Sequence, residues 1–381
     1  MDHATEVELA KELLALKAEK SAYLDDAVSQ RPVTDYLDPE RFRLEQERIF
    51  RAVPQPVLHT SELPEPGSFV VREFAGLPVL FTRDAEGVAH AFLNVCRHRG
   101  SRLVAEASGC KRRFSCPYHA WTYDNQGALV GVPHEKQGFP DLDRDAMSLR
   151  RVGCAERYGF IWAWADGQAS LDIDASLAGL APDLEQLAAN THTVLHSEEQ
   201  VRRVNWKLLV EGGIEAYHFR VAHRDTIAPY FNDNLSTYRS FGPHMRSILS
   251  KRTMNDLGDT PESEWRLRDH AQVLYTIFPS SSFLVQADHI AWIQQEAVSA
   301  DTTRVRLSTL VPADRVNTDA DLEHWSKNHE ITVTTLNEDF EIGEGIQAGL
   351  ASGANTHLTF GRFEGALDVF NAAVDAALQD A

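Results

Sequence analysis

The chain has 381 residues, 43% hydrophobic and 24% charged, with a formal net charge of −19 and a pI of about 5.2. That length allows two domains and a large core, and the acidity argues against a nucleic-acid binder. The longest apolar run, near Gly159–Ala165, is far shorter than the ~20 residues that span a bilayer, so no membrane segment is expected.

The N-terminal M-D-H-A-T-E-V-E-L-A has neither a basic n-region nor an apolar h-region, so a cytoplasmic location is expected. Residues 5–19 join strong helix formers to Leu9, Leu13 and Leu16 on one side. D-P-E-R-F-R-L-E-Q-E-R-I-F reads as a capped helix with Pro39 near its first turn. From about 67 to 165 the pattern changes to short strands: S-F-V-V-R-E-F, L-P-V-L-F-T-R, V-A-H-A-F-L-N-V and A-W-T-Y, broken by A-G, D-A-E-G and D-N-Q-G. Y-G-F-I-W-A-W-A closes this small all-β module.

The later half is mixed. V-L-Y-T-I-F-P, S-F-L-V-Q-A, H-I-A-W-I-Q-Q-E-A-V and T-R-V-R-L-S-T-L-V-P predict antiparallel strands. Helices are expected at about 203–222, 319–351 and 364–379. The expected fold class is α+β: a small all-β domain, then an antiparallel sheet gripped by a C-terminal helix in helix-grip fashion.

Four residues stand out in the all-β module: Cys96, His98, Cys116 and His119, in N-V-C-R-H-R-G and S-C-P-Y-H-A-W. Two thiolates and two imidazoles suit a tetrahedral zinc or a Rieske [2Fe–2S] centre, with the Cys pair on one iron and the His pair on the other. A C-x-H opening is unusual for zinc and favours the cluster. Neither ligand box holds a second Cys to form a stapling disulfide, so a potential toward the low end of the Rieske range is expected. Cys110 and Cys154 read as small, buried and reduced. Between Cys96 and Trp121 the basic residues Arg97, Arg99, Arg102, Lys111, Arg112 and Arg113 face one acid, Glu106. This collar suits an acidic electron donor or is simply a solvated loop.

A second metal site is suggested by His218 and His223 in E-G-G-I-E-A-Y-H-F-R-V-A-H. At H-x4-H spacing the rings stand roughly 140° apart on an ideal helix, so the helix must break or bulge for both to reach one ion. Glu211, Glu215 and His218 share a helical face. A facial triad for iron(II) also needs one carboxylate. Asp225, Glu215 and Glu211 are nearby, and L-N-E-D-F-E-I-G-E-G-I-Q-A-G-L offers a distant set. On a helix, Leu336, Ile342, Ile346 and Leu350 lie within about 60° of Asp339, whereas Glu338, Glu341 and Glu344 fall away. A carboxylate in an apolar stripe is unfavourable unless paired or metal-bound.

N-V-C-R-H-R-G-S-R-L…C-P-Y-H-A-W-T-Y closely resembles the Rieske domain of ring-hydroxylating oxygenase alpha subunits and their monooxygenase relatives. N-W-K-x3-E-x3-E-x-Y-H-x4-H followed by E-D-x7-Q-x-G-L is similar to their catalytic domain, especially in the homo-oligomeric carnitine and choline monooxygenase branch. The resemblance covers roughly residues 40 to 365. It implies an N-terminal helical part of the catalytic domain at residues 1–50, a Rieske [2Fe–2S] domain at 51–165 and a mononuclear iron catalytic domain at 166–381. By the same resemblance Cys96, His98, Cys116 and His119 hold the cluster, and His218, His223 and Asp339 hold an iron(II). Glu215 bridges neighbouring subunits by hydrogen-bonding His119 across the interface.

The implied protein is the terminal oxygenase of a multicomponent system, a homotrimer or a multiple of one. Electrons from NAD(P)H arrive through a separate reductase or ferredoxin; the chain has no G-x-G-x-x-G and no plant-type ferredoxin Cys run. O2-dependent mono- or dioxygenation of a small organic substrate follows, leaning toward an aromatic or other apolar ring. A quaternary-ammonium monooxygenase or demethylase is the alternative, and a pure Rieske electron carrier a remoter one. Tyr230, Phe231, Tyr238, Phe241, Tyr275, Phe278, Phe283 and Trp292 are candidate pocket residues. Many relatives have Asn after the first Glu of the E-x3-E segment; here Gly212-Gly213 replaces it, which leaves the polarity of the pocket open.

Overall fold

The computed structural model describes residues 1–167 and 169–379. Two compact units divide the chain: Phe50–Ser176, and Met1–Ile49 together with Leu177–Ala381. The segment 166–176, assigned to the later domain on sequence, groups with the smaller unit.

The smaller unit is built of short strands because its apolar runs are short and are cut by turn residues. A seven-stranded antiparallel sheet runs in the order Gln55–His59, Phe160–Trp164, Arg151–Arg157, Ala89–Leu93, Leu77–Arg83, Ser68–Phe74, Ser108–Cys110. A second sheet joins Arg113–Ser115, Thr122–Asp124 and Leu129–Gly131. Trp162, Phe69, Phe81, Phe92, Phe160 and Tyr123 fill the interior. Gly153 pairs with Trp164, and a Cβ there would fall 2.1 Å from the indole, so only glycine admits that ring. All four cysteines are free, but Cys110 is exposed and Cys154 only half-buried, contrary to the expectation of two buried thiols. Cys110 lies on the three-residue edge strand, where a small side chain need not face the core, and Cys154 Sγ approaches the Ala89 carbonyl at 3.8 Å on an inner strand.

In the larger unit a seven-stranded antiparallel sheet runs His192–Arg202, Thr302–Pro312, Ile290–Ser299, Ser281–Val285, Ala271–Ile277, His244–Lys251, Phe231–Phe241. The four inner strands expected from sequence are present. Both edge strands and His244–Lys251 are additional. The helix Asp319–Ala351 crosses this sheet. Thr318 caps it by accepting from Asp321 N–H at 3.1 Å. His196 Nε2 to Ser326 Oγ (3.1 Å) and Thr309 Oγ1 to His329 Nδ1 (2.8 Å) tie it to the sheet. At 1.5 Å per residue its 33 residues extend about 50 Å. Trp206–Ile214 packs against it at Gly343, where a Cβ would meet Val204 and Leu209 at 3.3 and 3.4 Å. The N-terminal helix His3–Ala18 and the last helix, Gly365–Gln379, complete the unit. No described helix is long and apolar enough to cross a membrane.

Candidate functional sites: two metal centres

In the smaller unit, Cys96 and Cys116 begin two loops of the same design. In each, the Cys N–H donates to the carbonyl five residues on (Ser101, Trp121; both 2.8 Å). Its own carbonyl accepts from the N–H four residues on (Gly100, 3.0 Å; Ala120, 2.9 Å). That fourth residue is left-handed in both, φ +77° at Gly100 and φ +56° at Ala120. The repeat faces the histidines together: His98 and His119 have ring centroids 4.7 Å apart. Trp121 stacks on His98 at 4.8 Å and 8°, and Phe139 packs edge-on against both. The cysteines are buried, 2% and 4% exposed. Burial pushes the Cys96 thiol up, and the neighbouring Cys116 adds to this, so a cation is needed to favour the thiolates.

Three features fit a [2Fe–2S] group. Two unoxidised thiols lie buried together, two imidazoles face each other, and His98 Nδ1 is buried with no hydrogen-bond partner among the described residues. The basic collar is partly neutralised, since Lys111 pairs with Glu106 at 2.5 Å.

Tyr123 OH lies 3.6 Å from Cys96 Sγ and accepts from Arg97 N–H at 3.0 Å. A hydrogen bond to a cluster sulfur stabilises the reduced, more negative state. At about 1 kcal/mol net for such a bond, and 59 mV per tenfold for one electron, Tyr123→Phe is expected to lower the cluster potential by a few tens of millivolts. Redox titration followed by EPR checks it; an unchanged potential would mean the hydroxyl serves only Arg97.

The second centre lies in the larger unit. The expected helix over 203–222 is interrupted. Trp206–Ile214 ends at Glu215, which is extended (φ −121°, ψ 164°). A single turn, Phe219–Ala222, follows, with His218 as its N-terminal and His223 as its C-terminal flanking residue. Neither histidine has to keep the 140° offset of a continuous helix. The break also ends the predicted Glu211–Glu215–His218 face. Glu211 turns inward to Tyr36 OH and Asn371 Nδ2, both at 2.7 Å, and burial pushes its carboxyl up to about 7.

His218 Nε2, His223 Nε2 and Asp339 Oδ1 converge. The separations are 3.1 Å between the two nitrogens, 3.4 Å from His218 to Asp339 and 2.9 Å from His223 to Asp339. Mutually cis donors bound at about 2.1 Å lie about 3 Å apart, so the trio fits one face of an octahedral ion. Each ring is oriented through its other nitrogen. Glu215 Oε1 contacts His218 Nδ1, and Glu338 Oε2 lies 2.7 Å from His223 Nδ1 while also accepting from Thr226 Oγ1 at 2.7 Å. This is the carboxylate–histidine arrangement that turns Nε2 toward a metal. Glu338 was not assigned on sequence, because its helical position lies off the apolar stripe. Its signal was only its place beside Asp339 in the E-D pair. Asp225 points away, exposed and paired with Arg224.

Burial opposes charge on both rings, yet hydrogen bonds to Asp339, with Glu215 for His218 and Glu338 for His223, outweigh it. The His218 pKa rises to about 10, and that of His223 rises too. Burial likewise opposes ionisation of Asp339, but the two rings hold it below its ordinary range. Three carboxylates around two imidazoles therefore favour positive charge at this point. A divalent cation on neutral rings supplies it as well as two protons do.

These groups open onto a cavity of about 210 Å³. Its walls include Leu209, Leu274, Leu284, Ile293, Leu336 and Phe340. Gly212 and Gly213 also line it, and a Cβ at either would meet nothing within 4 Å, so the glycines leave space there. None of the eight aromatic candidates is among the lining residues. Strand register explains several of them. Leu274 pairs with Leu284 on the cavity face, so their neighbours Tyr275 and Phe283 point the other way, with Trp292 paired to Phe283.

Two family models match. Residues 184–380 match the ring hydroxylating alpha subunit (catalytic domain), and residues 53–151 match the Rieske [2Fe–2S] domain. The chain belongs to the ring-hydroxylating alpha subunit family. Cofactors of that family are a Rieske cluster and a mononuclear iron, for which the two constellations are the fitting sites. The chain is 32% identical over 198 residues to the anthranilate 1,2-dioxygenase large subunit of Acinetobacter baylyi, covering 51% of this chain and 42% of the relative. It is 34% identical over 196 residues to the glycine betaine monooxygenase oxygenase subunit of Chromohalobacter salexigens, covering 51% and 43%. The match thus spans less than half the length of either relative. In fold it is similar to the quaternary ammonium Rieske monooxygenase CntA (TM-score 0.78, 24% identity, 92% of this chain and 95% of that one). It is also similar to naphthalene 1,2-dioxygenase with indole bound (TM-score 0.76, 21% identity, 92% and 94%).

Proposed function

We propose that this protein is the terminal oxygenase of a multicomponent Rieske system and hydroxylates a small, largely apolar organic substrate with O2. The observation that carries this reading is the convergence of His218 Nε2, His223 Nε2 and Asp339 Oδ1 at the wall of an apolar cavity. Three protein ligands on one face leave positions for O2 and for substrate, and an iron(II) bound there supplies O2 activation. Cys96, Cys116, His98 and His119 hold the cluster that receives electrons, which originate from NAD(P)H and pass through a separate reductase or ferredoxin. His119 is exposed, as a residue on an electron-transfer path to another protein has to be.

The chain's own residues bind and exclude water. Removing about 150 Å² of apolar substrate surface at about 25 cal/mol/Å² supplies about 4 kcal/mol. No lysine or arginine is among the described lining residues, which disfavours an anionic substrate. Phe219 and Phe340 are the lining aromatics, too few for an aromatic cage around a quaternary ammonium. An apolar ring is the better fit.

A homotrimer, or a multiple of it, is part of the same proposal. Tyr217, Val221 and Tyr230 are 54%, 75% and 68% exposed, and they flank the His218–His223 turn, as a subunit contact there would require. Four free cysteines suit a reducing cytoplasm.

The test is a panel of uncharged aromatic, alicyclic and quaternary-ammonium compounds, with O2 uptake driven by a surrogate reductase and products identified. Coupled uptake with apolar rings is expected. Coupling confined to the quaternary-ammonium set would overturn the substrate class, and absence of O2 uptake with any member would overturn the oxygenase reading.

A further inference from the structure

Among the described residues that line the apolar cavity, one has a buried side-chain polar atom with no hydrogen-bond partner. Gln295 lies on strand Ile290–Ser299, two residues from Ile293, and both side chains line the cavity. Alternation along the strand puts them on the same face. Register supports this. Ile293 pairs with cavity-lining Ser282, and Gln295 with Val305 next to the Leu336–Phe340 stretch of the long helix. The backbone of Gln295 is satisfied, since its N–H donates to Ser280 O at 3.0 Å and its carbonyl accepts from Ser280 Oγ at 2.5 Å. Its side chain is not. The residue is 7% exposed, and Oε1 is buried without a hydrogen-bond partner among the described residues.

A buried acceptor left unpaired is unfavourable by about 1–3 kcal/mol. Leucine or methionine would fill the same volume without that penalty. We propose that Gln295 is a specificity residue that recognises a hydrogen-bond donor, a hydroxyl or N–H, on an otherwise apolar and uncharged substrate. This deepens the apolar-cavity reading and rests on it. Three further features fit. No lysine or arginine among the described residues lines the cavity to pair with an anionic group. Two of its other uncharged polar residues, Gln272 and Ser282, lie on the same sheet face as Gln295. A site built to bond a donor rejects the analogue that lacks one, because the acceptor is then buried unpaired.

Indole and indene test this. They match in size and shape, and only indole carries an N–H. Binding of each to the iron-loaded holoenzyme under anaerobic conditions is measured by equilibrium dialysis, for the wild type and for Gln295→Leu. The wild type is expected to favour indole over indene by about 3- to 10-fold, the equivalent of one net hydrogen bond. Gln295→Leu is expected to erase or reverse that ratio, chiefly by binding indene more tightly. A wild-type ratio near one overturns the proposal while leaving the apolar cavity intact, and needs no variant to be folded. An unchanged ratio in Gln295→Leu overturns it equally. If the wild type binds neither compound, the apolar-cavity reading fails and this proposal with it.

Discussion

Asp339→Ala is expected to leave the protein red-brown and inactive. The cluster residues belong to the smaller unit, whereas Asp339 belongs to the larger one, where its carboxylate meets the two imidazoles. Iron should fall from about three per chain to about two, since a Rieske cluster holds two irons and the facial triad one. The loss of mononuclear iron affinity should exceed the 10- to 100-fold usual for an outer-shell partner, and hydroxylation should vanish with it. The Rieske EPR signal should be unaltered. Cys116→Ser is the reciprocal case, with colour and EPR signal lost while one iron per chain is retained. Glu341→Ala is the control, being exposed on the same helix two residues from Asp339. Full turnover in Asp339→Ala would remove the carboxylate from the triad, and Asp225, exposed on Arg224, is poorly placed to replace it. Iron analysis and EPR on the three variants decide the matter.

Both residue constellations were legible in the sequence for different reasons. Cluster loops are local: C-x-H and C-x2-H each fit in one turn, so spacing alone nearly defines them. The triad is not local, since Asp339 comes from a helix more than a hundred residues beyond His223. It was readable because a carboxylate in an apolar stripe is unfavourable, and that shows in the helical period. In the structure Ile342 and Ile346 are partly exposed beside the cavity rather than buried in core, so the stripe marked a site wall. Three things were hidden. The helix break at Glu215 depends on tertiary contacts, although Gly212-Gly213 just before it weakens the helix. The edge strands His192–Arg202 and Phe231–Phe241 carry many polar residues and lack the alternation of inner strands. Which side of each inner strand faces the cavity is a matter of register, and a one-residue choice swaps Leu274 for Tyr275. Composition could not supply that choice, and Tyr275, Phe283 and Trp292 lie on the face turned away from the cavity.

Glu215→Gln is expected to keep both iron sites loaded and still slow turnover by about 10- to 100-fold, the range for an outer-shell partner of a metal ligand. Glu215 follows directly on the helix end, so its carboxylate folds back over the next turn. Oε1 meets His218 Nδ1, and Oε2 accepts the N–H groups of Tyr217 and His218, the latter at 3.3 Å. A glutamine oxygen can still accept from Nδ1–H, so Nε2 stays turned toward Asp339 and the iron shell persists. What is lost is a negative charge at a side chain only 10% exposed, beside exposed Tyr217 and Val221. If that carboxylate links His218 to His119 of an adjacent subunit, as the family resemblance implies, the amide weakens the link without dismantling either end. The measurement is a single turnover: pre-reduced protein with substrate is mixed with O2, and reoxidation is followed by the visible absorbance. Slow reoxidation at full iron content supports the coupling role. Glu215→Ala should in addition shed mononuclear iron, because His218 Nδ1 then has no acceptor. If Glu215→Gln itself sheds iron, the residue's task is to hold the iron site together. Reoxidation at the wild-type rate would make Glu215 an orienting group alone, and the inter-subunit route would lose its one support in this chain.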